Sequence, residues 1–191
     1  DLIADWPVPA ASAAVVGKSG VLADYGDTAR AYRLASVTKP LVARAAQIAV
    51  EEGVIDLDSP AGPPGATIRH LLSHASGLSM HSAETMAEPG SRRVYSNYGF
   101  GVLAQTIESN SGIEFGRYLS EAIFEPLGMT ASRLDGGAAA AGFGVVSTVA
   151  DLTAFAVLVF FSGGATNPFV SLMLVPIIIA AISLRPRWVW L

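Results

Sequence analysis

No cysteine occurs anywhere in the chain. Disulfides and thiolate metal sites are therefore excluded, a condition compatible with any compartment. Lysine is nearly as scarce: Lys18 and Lys39 stand against ten arginines. Basic residues number 12 against 16 acidic ones, for a formal net charge of -4. No basic stripe is present, which argues against nucleic acid as a partner. Charge as a whole is sparse, at 15% of residues where about 25% is usual. The deficit is concentrated at one end, since Arg185 and Arg187 are the only charged residues from Leu152 to Leu191. The opening residues, Asp1 to Pro7, have no basic stretch followed by an apolar one and do not read as a signal peptide. Localisation stays open between the cytoplasm and export after processing. No internal repeat or low-complexity tract is visible, and 191 residues suit one domain.

What is present alternates between short strands and helices. Ala11 to Val16 and Val21 to Tyr25 read as a β-hairpin across Gly17-Lys18-Ser19-Gly20. Val37 to Gly53 reads as a helix, with Leu41, Ala45, Ile48 and Ala49 at helical spacing and Gly53 as its stop. Pro40 lacks an N–H, so the helix must begin close to Ser36. Thr67 is placed to cap a short helix over Ile68 to His74. Asn97 to Ser109 carries Phe100, Leu103, Ala104 and Ile107 on one helical face. A further helix, about Gly112 to Phe124, is stopped by Pro126 and Gly128. Gly136 to Gly144 reads as flexible, and Ser147-Thr148 caps a helix through Asp151, Leu152 and Phe155.

Ser36 and Lys39 are the first candidates for chemistry. Residues at i and i+3 share a helix face, so the hydroxyl and the amine can hydrogen-bond in the first turn. A serine hydroxyl needs a neighbour to take its proton before it becomes a useful nucleophile. A lysine serves as that neighbour only if its surroundings lower its pKa from about 10.4. The helix start adds positive potential and N–H groups suited to an oxyanion. A cap serine beside a solvated lysine is the bland alternative, and an isolated S-x-x-K often arises by chance. Against it stands the use of one of only two lysines at this spot. Tyr95-Ser96-Asn97 is the second candidate. Its phenol can relay a proton, and its amide can orient both a lysine and a substrate carbonyl. His70 and His74 are spaced i, i+4, but the glutamate of H-E-x-x-H is missing and no third ligand lies nearby. They read as histidines that pack or that support the reacting groups from behind, not as a metal pair. Asp56 and Asp58 read as turn and cap residues.

Taken together these motifs resemble a known family. Leu34-Ala35-Ser36-Val37-Thr38-Lys39-Pro40 is similar to the S-x-x-K motif of the β-lactamase and penicillin-binding-protein superfamily. Gly53 to Pro60, Thr67 to Leu78, and Pro89-Gly90 followed by Tyr95-Ser96-Asn97 resemble its next segments. Pro126-Leu127-Gly128-Met129 and Gly142, Gly144, Ser147 and Asp151-Leu152 resemble later ones. Order and spacing agree over about 11–155. The resemblance implies an α+β, β-lactamase/transpeptidase-like fold: an antiparallel sheet flanked by helices, with a helical subdomain, incomplete at the C-terminal end. It also implies acyl transfer through a serine ester, with Ser36, Lys39 and Tyr95 catalytic and Asn97 binding substrate. Such a site takes a small-molecule or peptide acyl substrate (β-lactam, D-amino-acid peptide or ester) and needs neither metal nor other cofactor.

The sequence departs from the family in one respect. Its third motif, Lys or His followed by a small residue and Gly, has no candidate after Asn97. The sequence therefore divides into a partial hydrolase domain, 1–155, and an atypical apolar tail, 156–191. Two other functions are carried forward on this ground. One is a catalytically weak remnant or binding module. The other is a membrane-associated protein held by the apolar run Phe169 to Leu184. That run would reach about 24 Å as a helix, short of a hydrocarbon core of about 30 Å, and Pro176 interrupts it. Membrane contact is not favoured for that reason.

Overall fold

A computed structural model describes residues 6–17 and 20–161. The tail beyond Phe161, and with it the run from Phe169 to Leu184, lies outside the described residues. The chain separates into two compact units, each assembled from segments distant in sequence.

Of the described residues, the first unit comprises 6–17, 20–33, 127–132 and 147–161. Strand β1 (Ala13–Gly17) pairs antiparallel with β2 (Gly20–Tyr25), from Ala13 opposite Tyr25 to Gly17 opposite Gly20. The expected hairpin is thus present, and both glycines belong to its strands. Strand β3 (Tyr32–Arg33) follows. Ser12 is buried among these segments, donating to the Asp27 carbonyl at 2.7 Å and lying 2.8 Å from the Tyr32 hydroxyl.

The second unit comprises 34–126 and 133–146 and holds most of the helices. A 3-10 turn over Ala35–Val37 runs directly into α1 (Thr38–Glu51). Leu41, Val42, Ala45 and Ala49 on this helix are fully buried. Helix α2 (Ile68–Leu72) is shorter than its sequence suggests. His70 folds back at its start, where Nδ1 accepts the Thr67 N–H at 3.2 Å, the part a Glu usually takes in a capping box. Helix α3 (Asn97–Ser111) begins where Ser96 Oγ accepts the Gly99 N–H at 2.8 Å. It stops at Gly112, whose φ of 72° puts the backbone in the left-handed region that glycine tolerates best. Helix α4 (Phe115–Leu119) continues into a π-helical turn over Ser120–Phe124. The helix expected over Gly112 to Phe124 is thus present from Phe115, and its second half is wound as a π-helix. Strand β4 (Arg133–Leu134) pairs antiparallel with β5 (Val145–Ser147), Leu134 facing Val145.

Back in the first unit, α5 (Val149–Phe161) starts where Thr148 Oγ1 accepts the Asp151 N–H at 3.0 Å. The Asp151 carboxylate accepts from Ala131 N and Ser132 Oγ at 2.9 and 2.7 Å. That carboxylate thus ties Ala131 and Ser132 to the start of α5.

Asp58 differs from the turn-and-cap expectation. Asp56 Oδ1 accepts the Asp58 N–H at 2.8 Å, as a turn residue should. Asp58 instead takes a two-pronged bond from Arg69, at 2.9 and 3.1 Å. The planar guanidinium matches a carboxylate better than a single N–H can.

Candidate active site

Ser36 lies in the 3-10 turn that leads into α1, and its side chain is exposed. The residue before it, Ala35, has φ of 47°. Alanine in this region costs about 1–2 kcal/mol, because Cβ crowds the following carbonyl. The only other non-glycine residue with positive φ among those described is His74, at 59°. Ala35 adjoins Ser36 and His74 packs on Tyr95, whose hydroxyl meets Ser36; strained backbone of this kind gathers at functional sites.

One turn further on, Lys39 is buried, with 7% of its surface exposed. Its Nζ donates to Asn97 Oδ1 at 2.6 Å, to the Gly142 carbonyl at 2.7 Å and to Ser36 Oγ at 3.2 Å. Three acceptors meet the three hydrogens of an ammonium. None of them is charged, and none of the ion pairs among the described residues includes Lys39. Burial without a countercharge lowers its pKa from 10.5 to about 8. The aromatic faces of Tyr95 and Phe100, 4.5 and 5.6 Å from Nζ, favour the charged form and limit that fall.

Tyr95 reaches Ser36 from the other side. Its hydroxyl donates to Ser36 Oγ at 2.7 Å. The segment bearing it is tied down at several points. Val94 N–H donates to the His74 carbonyl at 2.7 Å, and the N–H groups of Asn97 and Tyr98 donate to the Met80 carbonyl at 3.0 and 3.1 Å. Ser96 Oγ donates to the Ser79 carbonyl at 2.6 Å. All four residues singled out from the sequence, Ser36, Lys39, Tyr95 and Asn97, thus converge within one hydrogen-bonded cluster.

Two members of the cluster were not assigned from sequence. Gly142 lies in the stretch expected to be flexible, yet that stretch is built. It holds a 3-10 turn over Ala138–Ala140 and turns the Gly142 carbonyl onto Lys39. A Cβ at Gly142 would sit 3.0 Å from both Cα and O of Asn97, so only glycine brings this carbonyl so near. The glycine itself was the available signal. His74, expected to pack or to support the reacting groups from behind, does pack: its ring lies 4.4 Å from that of Tyr95 and 5.3 Å from that of Phe100. It also hydrogen-bonds, its Nδ1 accepting the Ser96 N–H at 3.2 Å. The other histidine of the i, i+4 pair, His70, turns its Nδ1 to Thr67.

A serine hydroxyl beside a depressed-pKa lysine and a phenol has the neighbours it needs to be activated as a nucleophile. The chain belongs to the beta-lactamase family, whose model matches residues 4–173. That family comprises β-lactamase- and penicillin-binding-protein-like serine hydrolases, and this chain has its β-lactamase/transpeptidase-like fold. It is 29% identical over 136 residues to a penicillin-binding protein of Bacillus subtilis (strain 168), a match covering 54% of this chain and 30% of that protein. It is 27% identical over 134 residues to the D-alanyl-D-alanine-carboxypeptidase/endopeptidase AmpH of Escherichia coli (strain K12), covering 51% of this chain and 35% of that one. The crystal structure of a beta-lactamase from Mycobacterium bovis superposes with a TM-score of 0.80 and 70% identity, over 81% of this chain and 57% of that chain. The chain thus spans about a third of the length of the curated relatives it matches. Among the described residues, no helix is long and apolar enough to cross a membrane.

Proposed function

We propose that the protein cleaves an acyl substrate through a covalent ester on Ser36, with Lys39 and Tyr95 sharing the proton work and Asn97 orienting the substrate. The observation that carries this reading is the meeting of two proton-carrying groups on one oxygen, Lys39 Nζ at 3.2 Å and Tyr95 Oη at 2.7 Å from Ser36 Oγ. With a pKa of about 8, roughly a tenth of Lys39 is neutral at pH 7. The neutral amine has two hydrogens. The shorter bonds, to Asn97 and Gly142, would retain them, and the lone pair would then face Ser36. The serine proton can pass to it without movement of any heavy atom. Tyr95 is set to deliver a proton to the leaving group, and the Ser36 N–H, in the 3-10 turn ahead of α1, to donate to the oxyanion.

The names of the relatives, a carboxypeptidase/endopeptidase acting on D-alanyl-D-alanine and a beta-lactamase, support an amide or lactam carbonyl as the target. The test is labelling with a fluorophosphonate and with a fluorescent penicillin, followed by peptide mass mapping. An adduct on Ser36, lost in Ser36→Ala, is the expected result. An adduct on Ser73, Ser76 or Ser96 would overturn the assignment. Saturable binding of a β-lactam with no adduct would favour a non-catalytic binding module.

A further inference from the structure

Tyr95 has to hold its phenol on Ser36, yet the residue is 40% exposed. Its position must come from the backbone on either side. On one side Val94 N–H donates to the His74 carbonyl at 2.7 Å. On the other, Ser96 N–H donates to His74 Nδ1 at 3.2 Å. A single residue therefore grips the chain before and after Tyr95, and the ring of that residue lies against the Tyr95 ring at 4.4 Å. His74 is 5% exposed and its backbone is held at φ 59°. That left-handed turn lets the carbonyl and the imidazole of one residue meet the same passing strand of chain.

We propose that His74 is a positioning residue, a neutral imidazole that sets the Tyr95 hydroxyl on Ser36 by clamping Val94 and Ser96. The inference rests on the reading of Ser36, Lys39 and Tyr95 as the reacting groups. Nδ1 must be without a proton to accept from Ser96, so the ring carries its hydrogen on Nε2. Protonation would turn the acceptor into a donor facing another donor. It would also add a cation to a pocket that already holds Lys39, with Arg93 the other positive charge near the ring. The clamp therefore works only with a neutral ring.

The chemistry can be separated from mere packing by comparing His74→Ala with His74→Asn. Asparagine places an acceptor oxygen near the position of Nδ1 and tolerates positive φ better than other non-glycine residues. A misplaced catalytic group loses up to about a hundredfold in rate. We expect His74→Ala to slow Ser36 labelling at least tenfold, and His74→Asn to recover a threefold or larger part of that. In a Tyr95→Phe background, where the phenol is gone, both substitutions should change the rate less than about twofold. Equal losses with and without the phenol would overturn the proposal, as would equal rates for His74→Ala and His74→Asn.

A second readout does not depend on activity. With 13C at tyrosine Cζ, the Tyr95 signal should shift in His74→Ala, and shift less in His74→Asn. If wild-type Ser36 takes no label, the reading of the reacting groups fails and this signal alone judges the clamp: an unmoved Tyr95 resonance sinks it. Circular dichroism confirms that each variant is folded before it is compared.

Discussion

Lys39 Nζ lies 2.6 Å from Oδ1 of Asn97, 58 residues away in the chain, and that oxygen is an amide, not a carboxylate. The distinction governs the charge of the lysine. A neutral dipole accepts a hydrogen bond but adds little to hold the proton on, so desolvation prevails and the pKa falls to about 8.

Asn97→Asp should reverse this. A carboxylate at the same distance would favour the ammonium and raise its pKa by one to three units, roughly. The wild-type rate of Ser36 labelling should rise with pH through about 8 as Lys39 loses its proton. In the variant that rise should move at least one unit upward, with a tenfold or greater loss at pH 7. Labelling rates measured from pH 6 to 10 check this, and an unmoved profile would mean that another group controls the rate.

Lys39→Arg should abolish labelling. Arginine keeps the charge but has no proton to give up near neutral pH. Loss of a general base lowers rates about a hundredfold to ten-thousandfold. Lys18→Arg, at the only other lysine, should leave the rate unchanged. Comparable labelling of Lys39→Arg and wild type would show that Lys39 serves only as a charge.

Gly142→Ala should damage both stability and chemistry. Its methyl would meet the Asn97 backbone at 3.0 Å and the Asn97 Cβ at 3.1 Å. Forced overpacking of this sort costs about 1–3 kcal/mol. Relief can come only by withdrawing the carbonyl that accepts from Lys39 or by shifting the start of α3. Urea unfolding should show the loss in stability, and labelling should slow at least tenfold. A variant as fast and as stable as wild type would mean that the carbonyl is free to move.

Stability should fall with acid earlier than the carboxylates alone would cause. Burial, with the positive charges of Lys39 and Arg93, lowers the pKa of His74 from 6.5 to about 4. Between these values the unfolded chain holds a proton that the folded chain lacks, so stability rises with pH across that window. The contribution is complete above pH 6.5 and is lost as pH falls through about 4. It amounts to at most about 3 kcal/mol. Unfolding free energies from pH 4 to 7 should flatten by up to one proton in His74→Asn. An unchanged slope would locate the acid sensitivity elsewhere.

Some of this arrangement is legible in the chain itself. The three-residue spacing of Ser36 and Lys39 and the proline that follows are local, and so is the hydroxyl of Ser96 ahead of α3. Local rules suffice for them. The union of Tyr95 and Asn97 with the start of α1 is a matter of tertiary structure. Spacing alone left Tyr95-Ser96-Asn97 a weak motif, and only the resemblance joined it to Lys39. The Gly142 carbonyl is a backbone group, and any residue has one. What distinguishes it is the absence of a side chain next to Asn97, which a sequence records as one more glycine among nineteen. His74 was hidden for a different reason. Its spacing from His70 gave no sign of which neighbour it would support, whereas its left-handed backbone turns its ring toward the Tyr95 segment. The pairing of Asp58 with Arg69 likewise required the fold, since the two are eleven residues apart.

The neutrality of the partners around Lys39 has a further effect, on the response to salt. Mobile ions screen exposed charges over about 8–10 Å at ordinary ionic strength. Arg69 and Asp58, both exposed, are joined by such a bond, and it should loosen as salt is added. The amide of Asn97 and the carbonyl of Gly142 offer no net charge for an ion to shield. A site oriented by dipoles in this way is to keep its geometry, and its protonation midpoint, across a wide range of ionic strength while the surface around it responds.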